Sequence, residues 1–193
     1  MKTGLKLQKR LRTLHAYLNL FRFNLKKKVL GFDIANQFIQ RVDKDSLQLI
    51  LVRNGATIGN NCDIETGLIF HNCNNYSNLI IENNCHIGKN CFFDLKDKVI
   101  IEDNCVISMQ TIFITHIDMN KSHLSELYST GQGCINIEND VYIGAKSTIL
   151  MNICIGEKSI VGAGSLVNQK VNSKTIVGGV PAKPIKKIYG TQK

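Results

Sequence analysis

The stretch VYIGAKSTILMNICIGEKSIVGAGSLV, residues 141–167, sets Ile143, Ile149, Ile155, Val161 and Val167 six residues apart. An amphipathic helix repeats its apolar residues at three and four, and a half-buried strand alternates without corners, so neither accounts for a spacing of six. The same register runs upstream through Ile58, Ile64 and Phe70, then Ile81, Ile87 and Phe93, then Ile101, Ile107 and Phe113, and resumes at Ile137. Four residues beyond these positions a second one recurs, filled mostly by small side chains: Cys62, Cys85, Cys91, Cys105, Thr111, Val141, Ser147, Ser159 and Ser165. Glycine often follows the apolar residue directly, at Gly59, Gly88, Gly144, Gly156 and Gly162. Short strands joined by tight corners satisfy this pattern, three hexapeptides to each triangular coil, with the large and small positions stacked inside. The predicted fold is all-β, a parallel β-helix.

The register also accounts for most of the cysteines. There are seven, with no CxxC, and the odd number does not suit a disulfide framework. Four of them occupy the small interior position, where free cysteine serves as a small hydrophobe. Cys73, Cys134 and Cys154 fall outside it, and no ligand set surrounds them in the sequence.

Three interruptions break the period. Two extra residues lie between Phe93 and Ile101 and five between Phe70 and Ile81, both read as corner insertions. Between Phe113 and Ile137 an 18-residue excursion leaves the coil and rejoins in phase, with ITHIDMNKSHLSELYSTGQG at 114–133 as the projecting loop. Solenoid insertions go to loops on one face, often the binding face, and this one carries His116 and His123.

With 193 residues the chain fits one domain with an appendage, expected as a helical N-terminal segment over 1–45 and the β-helix with its C-terminal tail over 46–188. The net charge of +9 resides in the appendage: nine Lys and Arg residues precede the first acid, Asp33, and the remaining basic residues balance the 15 acids. The repeat domain therefore has no basic surface for nucleic acid. No apolar run is long enough to cross a bilayer, and the charges scattered through residues 1–28 do not form a signal peptide, so a cytoplasmic location is expected. Leu7, Leu11, Leu14, Leu18, Phe21 and Leu25 recur at four and three, one apolar stripe of a helix among Lys and Arg. Such a helix can pack on the repeat domain or its oligomer mates, or residues 1–30 can lie on the inner membrane surface, where a basic face favours anionic lipid. Both readings stand at the level of sequence.

The segment IGAKSTILMNICIGEKSIVGAGSLVNQKV…IVGGVPAKPIKKI, residues 143–188, resembles the C-terminal half of the hexapeptide-repeat O-acetyltransferases, the galactoside, maltose and polysaccharide enzymes among them. The resemblance runs from about residue 58 to 188, and VYIGA, IGAGS and GGVPAKPI are its most specific parts. It implies a left-handed coil, a homotrimer, active sites between neighbouring subunits, and acetyl-CoA lying along the groove between them. It further implies that His116 acts as general base, taking the proton of an acceptor hydroxyl that attacks the thioester directly. Histidine suits that task because its pKa lies near the working pH.

Two acids come into question beside it. Asp94 stands where galactoside-type enzymes carry an acceptor-contacting asparagine, and Asp118 lies two residues past His116, where it could hold the imidazole tautomer; either can also be a turn residue. For His123 a solvated and an acceptor-contacting role both fit. His71 and His86 read as corner residues, and His15 falls on the basic helix. For the cofactor, the resemblance carries over to Tyr142 (in place of the usual tryptophan), Gly144, Ala145 and Ala163. Asn168 and Gln169 replace the usual Thr-Lys pair, and Lys183 and Lys186 are candidates for the CoA phosphates. Pro181 and Pro184 are expected to end the coil. No metal is expected. The basic N-terminus differs from the short acidic one of the maltose and galactoside enzymes, and the loop is short for a streptogramin acetyltransferase. By elimination the acceptor is expected to be a surface polysaccharide or its precursor. The alternatives are a xenobiotic or small-saccharide acyltransferase, a zinc carbonic anhydrase-like coil using His86, His116 and His123, and a non-catalytic scaffold.

Overall fold

A computed structural model of the chain describes residues 2–189; Met1, at the start of the expected N-terminal segment, lies outside them. Three helices come first: α1 (Lys2–Leu30), α2 (Phe32–Phe38) and α3 (Lys44–Arg53). Gly31, at φ 89°, breaks α1 from α2 in a conformation that glycine adopts without a Cβ penalty. Asp43 caps α3 by accepting from Ser46 N at 3.1 Å, meeting one of the free N–H groups of its first turn. The helical region thus reaches Arg53, and the boundary expected at 45/46 falls inside α3. There the run LQLILV buries Leu47, Ile50 and Leu51 against the first coil and continues one core into the next.

From Thr57 onward the chain winds through short parallel strands that form the three faces of a triangular prism. The first face aligns Ile58, Ile81, Ile101, Ile137 and Ile155. The second aligns Ile64, Ile87, Ile107, Ile143, Val161 and Val177, and the third Phe70, Phe93, Phe113, Ile149 and Val167. All of these are buried except Ile58, at the capped end. Each is worth about 1.5–3 kcal/mol relative to exposure. On the third face the rings stack: Phe70 on Phe93 at 5.5 Å and Phe93 on Phe113 at 4.9 Å. A last partial coil through Val171 and Val177 escapes the six-residue reading because the chain steps four residues, not six, from Val167 to Val171.

The corners explain the small residues. Asn61, Asn84, Asn104, Asp140 and Lys158 turn with φ near +60°, where Asn and Asp are at least cost. A Cβ on Gly144 would come within 2.5 Å of Ala163 N in the next coil, so the corner closes only over glycine. The interior position is small and also donates: Cys85 Sγ to Glu102 O at 3.0 Å, Cys105 Sγ to Glu138 O at 3.1 Å, and Ser147 Oγ to Gly162 O at 3.0 Å. Each pairs a turn carbonyl, and Gly162 O accepts from Ser165 Oγ at 2.6 Å as well. Cysteine, serine and threonine share that donor, which a purely hydrophobic reading of the cysteines does not supply. Burial pushes the Cys91 thiol up to about 11, so it stays protonated and able to donate at neutral pH.

The insertion after Phe70 brings Tyr76 into the core between Phe70 and the helices, with rings 5.2 Å from Phe70 and 5.3 Å from Phe32. Its hydroxyl donates to Asn36 Oδ1 at 3.1 Å, tying the helical cap to the coil. The expected packing stripe of α1 proves to be its outer face: Leu7, Leu11, Leu14, Leu18, Phe21 and Leu25 are exposed, while Ala16, Asn19 and Phe23 are buried. Asn19 Nδ2 donates to Ser46 Oγ at 3.0 Å in that contact, so a polar residue marks the packed face and hides it from a hydrophobicity pattern. Two smaller expectations also shift. His71 and His86 sit at strand ends and not at corners, and Pro184 lies inside the strand Lys183–Lys187, which folds back antiparallel on Thr175–Gly178.

Candidate active site

The excursion after the third face is a hairpin. His116–Ile117 pairs antiparallel with Gly131–Gln132, and the residues beyond that neck, 120–130, are exposed. His116 begins the neck, 26% exposed, one residue beyond the buried Thr115. Below it is Asp94, which ends the strand Phe92–Asp94 on the same face and has a side chain only 1% exposed. Its Oδ2 lies 2.5 Å from His116 Nδ1. Thr115 donates to that oxygen from its backbone N at 2.8 Å and from Oγ1 at 3.0 Å, and Asn72 Nδ2 donates to Oδ1 at 2.9 Å. Burial alone would raise the carboxyl pKa. The hydrogen bonds from His116, Asn72 and Thr115 outweigh it and hold Asp94 below the ordinary carboxylate value.

An ionised Asp94 can only accept, so the proton of a neutral His116 resides on Nδ1 and the lone pair on Nε2. Asn72 Nδ2 is 3.4 Å from Nδ1 and 3.2 Å from Nε2. An atom nearly equidistant from both ring nitrogens and in their plane would collide with Cε1. The amide therefore lies off the ring plane and not along the in-plane lone pair of Nε2. The arrangement is an imidazole held in one tautomer by a buried carboxylate.

Asp118 takes no part in this cluster; its Oδ1 accepts from Asn120 N at 2.8 Å, a turn inside the loop. His123 opens an exposed 3-10 turn, His123–Glu126. His86 bonds Asp63 at 3.0 Å on the second face, so His86, His116 and His123 do not converge within one chain. Two clefts meet beside the dyad. One, of about 360 Å³, is lined by Lys96, His116, Asp118, Asn120 and Gln132; the other, of about 610 Å³, has Asn36, Gln37, Gln40, Asn72 and Asn74 with Asp33, and Lys96 borders both.

The cofactor candidates lie elsewhere on the same prism. Gly144, Ala145 and Ala163 stack at the corner between the second and third faces, with Gly164 N donating to Ala145 O at 2.8 Å. Tyr142 points outward from the second face and its hydroxyl accepts from Ser108 Oγ at 3.1 Å. Lys183 and Lys186 are exposed on the last strand. Asn168 and Gln169 follow the third face, exposed, on the edge from which the His116 hairpin also leaves. Within one chain the Gly144 corner and His116 stand on different edges. Asn72 and Thr115 were not singled out from the sequence. Asn72 belongs to the irregular insertion after Phe70, at φ 52°, and Thr115 acts through its Oγ1 and through a backbone N–H that any residue other than proline carries.

A family profile described as "Hexapeptide repeat of succinyl-transferase" matches residues 78–110 and 134–169. The galactoside O-acetyltransferase of Escherichia coli K12 is 28% identical over 181 residues, 88% of this chain and 81% of that one. Among solved structures, a hexapeptide-repeat-containing acetyltransferase from Vibrio cholerae superposes with a TM-score of 0.70 at 24% identity, covering 92% of this chain and 93% of that one. AntD, an N-acyltransferase from Bacillus cereus solved with dTDP and 3-hydroxybutyryl-CoA, is 26% identical with a TM-score of 0.59, over 69% and 73% of the two chains. With a coil whose interior register repeats every six residues, the chain is similar to the hexapeptide-repeat acetyltransferases over most of its length.

Proposed function

We propose that the chain transfers an acetyl group from acetyl-CoA to a hydroxyl of a sugar, in a surface polysaccharide or its precursor, with His116 as general base. The observation that carries this reading is the buried Asp94 carboxylate on Nδ1 of a partly exposed imidazole, which sets its lone pair on Nε2. Nε2 takes the acceptor's proton as its oxygen bonds to the thioester carbonyl carbon. The Asp94 carboxylate stabilises the imidazolium so formed. When the C–S bond breaks, the thiolate recovers that proton from Nε2, and the free thiol and the acetyl ester leave. Support for the donor comes from the CoA ester bound by AntD, and for the acceptor from the galactoside enzyme's likeness over most of this chain. The carboxamides of Gln37, Gln40 and Asn74 in the larger cleft can both donate to and accept from hydroxyls, which suits a neutral polyol.

The reading includes a homotrimer. His116 and the Gly144–Ala145–Ala163 corner lie on different edges of one prism, so a cofactor on that corner meets the base of a neighbouring copy. In such a site Tyr142 flanks the cofactor, and Lys183 and Lys186 face its phosphates. An enzyme acting on polysaccharide precursors works in the cytoplasm, at the inner face of the membrane where they are assembled.

The test is thiol release from acetyl-CoA with a panel of saccharides, xenobiotics and amines as acceptors. A saccharide is expected to be the substrate, and His116→Ala is expected to lower turnover by about 10²–10⁴-fold while a CoA-induced rise in melting temperature persists. Near-normal turnover in His116→Ala would remove the base from its role, and transfer to amines alone would remove the sugar hydroxyl.

A further inference from the structure

The exposed face of α1 has no use in the fold or in the proposed chemistry. From Lys6 to His15 every residue is exposed, and Ala16 is buried. At about 100° per residue, Leu7, Leu11, Leu14, Leu18, Phe21 and Leu25 fall in one narrow arc, opposite the arc of Ala16, Asn19 and Phe23 that packs on the body. Leu14 is 68% exposed and Phe21 63%, well beyond what a helix in contact with its own domain leaves open. On the same projection Arg10 and Lys28 border the stripe on one side and Arg22 and Lys26 on the other. The helix contains no acidic residue at all. The stripe runs about 27 Å from Leu7 to Leu25.

We infer that this face of α1 docks the protein on an anionic phospholipid surface, lying flat in the headgroup region and not crossing it. The charge selects the occupant. A second α1 laid along the stripe would set basic flanks against basic flanks, whereas anionic headgroups complement them, and Lys and Arg beside an apolar stripe can reach those headgroups while the leucines enter the acyl boundary. The geometry allows it, because the packed face is on the opposite side of the helix and the body can stand above the surface. Crossing is ruled out by the same charges: among the described residues no helix is long and apolar enough to span a bilayer. The inference is independent of the catalytic reading, since it uses no residue of the site.

The measurement is co-sedimentation of the full chain with vesicles of phosphatidylcholine alone or mixed with phosphatidylglycerol, at low and high salt. Wild type is expected to sediment with the mixed vesicles, about tenfold or more better than with phosphatidylcholine alone, and to be released by salt. The double variant Leu14→Asp/Phe21→Asp is expected to lose this binding while keeping its melting temperature and oligomeric size. Arg10→Gln/Lys28→Gln is expected to weaken it by about fivefold per residue without touching the stripe. Equal binding to both kinds of vesicle, or none to either, would overturn the inference. So would a change of oligomeric size in Leu14→Asp/Phe21→Asp, which would assign the stripe to another copy of the chain.

Discussion

At the scale of single residues the decisive pair is Asp94 and His116, 22 positions apart in the chain and 2.5 Å apart in space. Asp94→Asn keeps the shape but can present an N–H to the imidazole, favouring the tautomer with its proton on Nε2. We expect turnover to fall by about 10²-fold or more with little change in KM for acetyl-CoA, measured by steady-state thiol release. Asn72→Ala removes one of the bonds that hold the carboxylate, and a loss of about tenfold is expected, smaller because Thr115 and His116 still hold it. The same hydrogen bonds make Asp94 a term in acid stability. Its folded pKa is below the unfolded value, so its contribution is complete above about pH 4 and is lost as pH falls through the depressed folded value. Melting temperatures taken from neutral pH down to acid should fall more steeply for wild type than for Asp94→Asn; parallel slopes would remove Asp94 from that role.

At the scale of elements, the coil was legible because each hexapeptide repeats the same physical demand. An apolar side chain points inward, a small donor pairs the corner carbonyl, and a left-handed corner most often takes Asn, Asp or Gly, with Gln110, Lys146, Lys158 and Lys174 at the others. The ring stack Phe70–Phe93–Phe113 is the strongest single case. Phe93→Ala should cost about 3–5 kcal/mol in chemical denaturation, because rigid coils above and below cannot collapse into the space. Replacing Cys85 tests the donor reading: serine should be tolerated better than valine, which fills the volume but leaves Glu102 O without its partner. The helices were harder to read. In α1 the packed face is narrow and includes Asn19, while the conspicuous leucine stripe faces outward, so periodicity located the helix but not its orientation.

At the scale of the whole molecule, the coil is a rigid prism that offers its functional groups on separate edges. In the proposed trimer His116 on one edge meets a cofactor on the glycine-lined corner of a neighbouring copy, so dissociation of the oligomer should abolish transfer; activity that persists in a monomeric fraction would contradict this. The chain by itself determined the coil, its register, its interruptions and the position of His116 at the root of the largest one, since these depend on periodicity and on local turn chemistry. Tertiary structure alone decided the partner of His116 and the orientation of α1. Asp94 and Asp118 are equally plausible along the sequence, but only Asp94 is stacked directly beneath the hairpin by the parallel register of the third face. Which face of a helix is buried depends on what it meets, and α1 meets Ser46 and Tyr76, far from it in sequence.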